Sequence, residues 1–180
     1  LKNKNLEKMK NVYLLFLAFF ISFSAFSQEE FEYVLIDSLD QSKEELYSKA
    51  RSFMAYSFKD SKSVIQMDDK EIGRIIGKGN ITLNTKTGIS KYPNILNFTI
   101  TIDVRENRYR CIINEIYHDG LRNQNGFVGG LLTNEKPDCG YILLTRNAWR
   151  DIKEDAPKLF EEFLKEFQSH MNSKSKVDDF

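Results

Sequence analysis

Cysteine and histidine are scarce in this chain, and neither sign of charge predominates. Two cysteines in 180 residues, Cys111 and Cys139, exclude a disulfide framework and a four-ligand zinc set. In an oxidising compartment these two could pair with each other; otherwise they are small side chains, packed or free. His118 and His170 are the only histidines, so the serines have just two candidate bases, and no G-x-S-x-G elbow is present. Lysine and arginine number 26, against 26 aspartate and glutamate. A nucleic-acid binder normally carries a basic surplus that displaces counterions from phosphates, and here that surplus is missing.

Nucleotide loops are excluded by spacing. In Gly73-Arg74-Ile75-Ile76-Gly77-Lys78-Gly79 only three residues separate the first glycine from Gly77-Lys78, and Gly79 stands where a magnesium-binding Ser or Thr belongs. A dinucleotide fingerprint fails at Thr82, where its last glycine would fall. The GxxG loop of KH domains needs a helical context, whereas this stretch alternates as a strand.

What the chain does have is a leader. In Lys8–Gln28, KMKNVYLLFLAFFISFSAFSQ, two lysines precede an apolar run from Val12 to Ile21, and Ala25 and Ser27 stand three and one before a cut at Gln28. That pattern predicts a secretory signal peptide over 1–27. Its apolar run is shorter than the roughly 20 residues of a spanning helix, so no membrane span is expected after cleavage. No cysteine follows the cut, which excludes a lipoprotein signal. Export to the periplasm or the cell exterior of a Gram-negative bacterium follows. The leader removes Lys2, Lys4, Lys8, Lys10 and Glu7, leaving 153 residues with 22 basic and 25 acidic side chains. That length suits a single domain over 28–172. Residues 173–180 read as a flexible tail.

Periodicity orders the domain. Phe31–Ile36 reads as a strand. Ser42 and Glu45 have the spacing of a capping box, and Leu46, Ala50, Phe53 and Met54 predict an amphipathic helix to about Phe58. Val64–Met67 and Ile72–Leu83 flank the polar turn Asp68-Asp69-Lys70, which predicts a hairpin. Gly77 and Gly79 share the inward parity of Ile75 and Ile81, leaving room for a bulky helix side chain, Phe53 or Phe163. After a loop at Thr85–Pro93, NILNFTITIDVRE alternates cleanly: Leu96, Phe98, Ile100, Ile102 and Val104 inward, Asn97, Thr99, Thr101, Asp103 and Arg105 outward. Tyr109–Tyr117 is a fifth strand. Asp119–Gly140 shows no period and reads as a mobile or functional loop, with a short strand at Tyr141–Leu144. A last helix carries Ile152, Ala156, Phe160, Phe163, Phe167 and Met171 as one stripe, kinked or restarted by Pro157 near Asp155. Glu161, Glu162 and Glu166 form its solvated face. The order β-α-β-β-β-β-α predicts an α+β fold with both helices on one face of an antiparallel sheet.

The leader together with SKEELYSKARSFMAYSFKDSKSVIQMDDKEIGRIIGKGNI resembles a family of exported bacterial proteins known as a domain of unknown function with a TBP-like fold. The similarity is strongest from about Leu35 to Thr101, with further support from Asn134 to Trp149. It implies a curved antiparallel sheet with two helices on its convex side. It supplies no activity, cofactor or catalytic residue.

A sheet of this kind can meet a partner on its uncovered face. The residues expected there, Asn97, Thr99, Thr101, Arg74 and Lys78, are the candidate ligand-binding set, with Arg122 from the long loop. That face lacks the aromatic wedges with which DNA-binding relatives of the fold part base steps. The expected partner is an envelope protein, a glycan or a small ligand, not nucleic acid, with no metal ligands and no cofactor. A second reading is a small enzyme sited in the loop, built from His118, Asp119, Arg122, Asn123 and Cys139, which requires a thiol of lowered pKa. A third is a purely structural envelope protein. His118 itself reads as a solvated histidine at a strand end, and His170 as a cation suited to a helix C-terminus. Asp37-Ser38-Leu39 matches a three-residue O-glycosylation signal of exported bacterial proteins, or is an ordinary turn.

Overall fold

Ser42 sets the first helix. Its hydroxyl accepts the Glu45 N–H at 3.3 Å, and its own N–H donates to Glu45 Oε2 at 3.0 Å, completing the expected capping box. Helix α1 (Lys43–Ser57) follows strand β1 (Tyr33–Ser38) and precedes β2 (Ile65–Asp69), β3 (Arg74–Thr87), β4 (Ser90–Arg105), β5 (Arg108–Leu121), β6 (Gly130–Leu131) and helix α2 (Arg146–Asn172). The computed structural model describes residues 31–58, 64–87, 90–121 and 126–173. The segment expected to be a leader, with its expected cut at Gln28, lies outside the described residues, as do Arg122, Asn123 and residues 174–180.

The strands form one antiparallel sheet in the order β1-β5-β4-β3-β2, with β6 paired to β5 beyond the end of β1. This is the expected α+β architecture with one more short strand. The alternation read in β4 holds: Leu96, Phe98, Ile100, Ile102 and Val104 are buried, and their neighbours between them are half-exposed or exposed. Phe98 meets the rings of Phe160 and Phe163 edge-on at 5.2 and 5.6 Å between centroids. Burial of each such side chain contributes roughly 1.5–3 kcal/mol, which is what fixes both helices to this face. Two polar clamps add direction. Asp68 on β2 accepts from Tyr47 and Arg51 of α1. Asp37 on β1 accepts from Tyr109 of β5 and Gln168 of α2.

Several boundaries differ from expectation. The region read as a loop at Thr85–Pro93 is largely sheet, since β3 and β4 stay paired as far as Thr87↔Ser90. Tyr141–Leu144 is turn, not strand, with Ile142 97% exposed. Helix α2 starts six residues before Ile152, where Thr145 Oγ1 accepts the Ala148 N–H at 3.3 Å. It also continues unbroken across Pro157. The proline costs a helix interior about 3 kcal/mol, and the buried stripe from Trp149 to Met171 outweighs it. The side chains that fill the space above Gly77 and Gly79 are Met54 and Phe58, not Phe53 or Phe163.

Candidate functional site

Strand parity gives the sheet a second face that neither helix covers among the described residues. Cross-strand pairing builds it in rows. One row runs Ile36, Arg110, Asp103, Arg74, Asp69 across five strands. The next is mostly apolar: Val34, Ile112, Thr101, Ile76, Met67. Beyond it lie Asn114, Thr99 and Lys78, then Tyr117, Asn97 and Asn80. Five of the six residues expected to bind a ligand, Asn97, Thr99, Thr101, Arg74 and Lys78, therefore share one surface. The sixth, Arg122, lies outside the described residues.

At the β4–β5 hairpin end this face sinks into a shallow depression of about 400 Å³. Arg74, Asp103, Arg105, Arg108 and Arg110 line it, together with Ile36 and Ile72. Asp103 organises the centre: it accepts from Arg74 Nε at 2.5 Å and from Arg110 Nη2 at 2.6 Å. Partial burial works to raise the Asp103 pKa, but the two guanidiniums overcome it and hold the carboxyl below its ordinary value. Four guanidiniums thus face one carboxylate. The alternation of β3 and β4 revealed Arg74, Asp103 and Arg105. Arg108, Arg110 and Ile36 were missed, although the parity of Tyr109, Cys111 and Ile113 contained the signal.

The other end of β5 overturns the reading of His118. Its side chain is fully buried, not solvated. Glu115, at φ 51°, is an extra residue between the pairs Thr99↔Asn114 and Asn97↔Tyr117. Such a bulge shifts strand parity by one. Tyr109, Cys111 and Ile113 point to the helices before it, and Ile116, His118 and Gly120 after it. Gly129 N–H donates to His118 Nδ1 at 2.9 Å, and His118 Nε2 meets Asn94 Oδ1 at 3.0 Å. Trp149 packs edge-on against the ring, 6.0 Å between centroids. Burial pushes the imidazole pKa down to about 4, with Asp119 pulling weakly the other way. His170 is also corrected: half-buried against Phe53, its pKa falls through burial instead of gaining from the helix end.

The long segment is tied to the domain where it is described. Leu132 N–H donates to Ile116 O, Gly129 N–H to His118 O, and Asp138 and Cys139 N–H to Gly129 O and Val128 O. The enzymatic alternative draws little from it. Both ring nitrogens of His118 are engaged, and burial pushes the Cys139 thiol above its ordinary value, away from the thiolate a nucleophile needs. Cys111 and Cys139 are both free, so the pairing considered from sequence is not made. Among the described residues no three His, Cys, Asp or Glu stand together as metal ligands, and no helix is long and apolar enough to cross a membrane.

Comparison with known proteins agrees with the architecture. Residues 33–119 match the family described as a domain of unknown function (DUF4468) with TBP-like fold. The crystal structure of a TBP-like protein from Parabacteroides distasonis superposes with a TM-score of 0.63 at 13% identity, covering 84% of this chain and 99% of that one. A DUF4468 family protein from Bacteroides ovatus superposes with a TM-score of 0.58 at 10% identity, covering 82% and 89%. At such identities these likenesses concern the fold alone. No curated protein matches the chain. The match over 33–119 identifies that part of the chain with the DUF4468 family, a domain of unknown function, and the antiparallel sheet with two helices on one face is a TBP-like fold.

Proposed function

We propose that this protein is an exported, non-enzymatic binding module of the cell envelope, and that it meets its ligand on the uncovered face of the sheet. The observation that carries this reading is the composition of that face. Asn97, Thr99, Thr101, Arg74 and Lys78 stand in register there, beside an apolar row and a depression of about 400 Å³, a volume in the range of small-ligand sites. Hydrogen-bond donors and acceptors beside apolar patches suit a glycan, a small ligand or a protein loop. The leader over 1–27 is what supports export.

A blocking substitution tests it. Thr101→Trp fills the middle of the open face, whereas Glu162→Trp changes the solvated side of α2. Calorimetry against a panel of envelope glycans and small acids should find ligands that Thr101→Trp loses and Glu162→Trp keeps, with both variants folded. Equal binding by the two variants would contradict the reading.

A further inference from the structure

Arg105 and Arg108 face each other directly across the β4–β5 hairpin. Like charges in that position cost a sheet stability. Neither arginine side chain has a hydrogen bond or an ion pair among the described residues. The nearest turn carboxylate, Glu106, is turned away, accepting the backbone N–H of Lys43 at 3.1 Å. Asp69, cross-strand from Arg74, accepts the Ile72 N–H and lies outside the lining of the depression. Two uncompensated guanidiniums therefore adjoin two more that Asp103 holds through Arg74 Nε and through Arg110 Nε and Nη2. That grip fixes both planes and leaves their remaining N–H groups free to donate. The result is a positive island in a chain of balanced charge. Ile36 and Ile72, 67% and 60% exposed, add apolar surface beside it.

We infer that this end of the open face is an anion site, which takes an oxyanion group carried by a small acid or an acidic sugar with an apolar side for Ile36 and Ile72. Guanidiniums donate in a planar fork that matches a carboxylate, sulfate or phosphate group, and a bound anion removes the repulsion between Arg105 and Arg108. Asp103 acts as a positioning residue: it neutralises one positive charge and aims the two guanidiniums it holds. The inference rests on the open face being the binding surface and names the chemistry of its ligand.

Calorimetric titration of the full chain with citrate, inorganic phosphate and trigalacturonate tests it, using wild type, Arg105→Gln/Arg108→Gln, Lys78→Gln, Thr101→Trp and, as a control on the solvated side of α2, Lys165→Gln. At least one probe should bind wild type, and added salt should weaken it. The double variant should weaken it about tenfold or more, as expected when two charge-assisted donors are lost, while Lys165→Gln stays within about twofold. The double variant should also melt at or above wild type, because a repulsive pair has gone. Binding of citrate without trigalacturonate assigns a small acid, and the reverse assigns an acidic glycan. Failure of all three probes on wild type, or undiminished binding by the double variant, overturns the inference. Binding lost in Lys78→Gln or Thr101→Trp but kept in the double variant overturns it too, while leaving the proposed function standing. A short DNA duplex that binds more tightly than any acid, with the same arginine dependence, would replace the assigned ligand class.

Discussion

His118 Nε2 lies 3.0 Å from Asn94 Oδ1, and this contact joins β5 to β4 through a pair of fully enclosed side chains. Asn94 Nδ2 in turn donates to Thr85 Oγ1 at 2.8 Å on β3. Because Gly129 N–H occupies Nδ1, the ring is neutral with its proton on Nε2, and a second proton would displace the Gly129 bond. The folded pKa, about 4, lies below the ordinary 6.5, so between these values the unfolded chain binds more protons than the folded one. Stability should therefore fall as pH drops through that window, by about 3 kcal/mol at most. Asp37, Asp68 and Asp103, whose pKa values are lowered, lose their contributions only at lower pH. Urea denaturation from pH 7 to 4 should show a decline in wild type that is much smaller in His118→Gln, where His170, its pKa also lowered by burial, still contributes; parallel profiles would contradict the assignment.

Glu115 decides which way His118 points. Deleting it would restore simple alternation, turning Ile116 and His118 outward and Tyr117 and Asp119 inward. The deletion should abolish the cooperative melt. Glu115→Gly keeps the bulge and eases a left-handed backbone conformation, at the loss of an exposed bond from Thr99 Oγ1 at 2.7 Å. It should melt within about 1 kcal/mol of wild type. A folded, cooperative deletion variant would show that β5 does not need the bulge.

Gly77 and Gly79 should differ in their tolerance of a side chain. A Cβ at Gly77 meets the Met54 terminal methyl at 2.5 Å, and a thioether can swing aside. At Gly79 it meets the Phe58 ring and, at 2.8 Å, the Phe98 ring, which close on it together. Gly79→Val should cost roughly 1–3 kcal/mol or more, and Gly77→Ala clearly less. Thermal melts in the reverse order would contradict the packing described above these two glycines.

How much of this was legible in sequence depends on how local each signal is. Ser42 and Glu45 announce α1 because capping acts over three residues. Leu96 to Val104 announce the buried face because β4 has no irregularity in that stretch. The parity of β5 was legible only up to Asn114, since a one-residue bulge leaves no mark in composition and reverses the side chains that follow it as far as His118. That is why His118 read as solvated. β6 escaped notice because two residues carry no period and its pairing follows from where β5 ends. The arginine depression escaped for a related reason: Arg74, Arg105, Arg108 and Arg110 come from three strands, and only the registers Arg74↔Asp103, Asp103↔Arg110 and Arg105↔Arg108 bring them together.

The claim that the open face of the sheet is the ligand-binding surface is tested most directly by amide chemical-shift mapping on the nitrogen-15-labelled protein during titration with citrate. The largest shifts should fall on Ile36, Arg74, Asp103, Arg105, Arg108 and Arg110, and fade toward Lys78 and Asn80 along the same face. Shifts confined to α1, α2 or residues 126–140, with the strand residues unmoved, would contradict it.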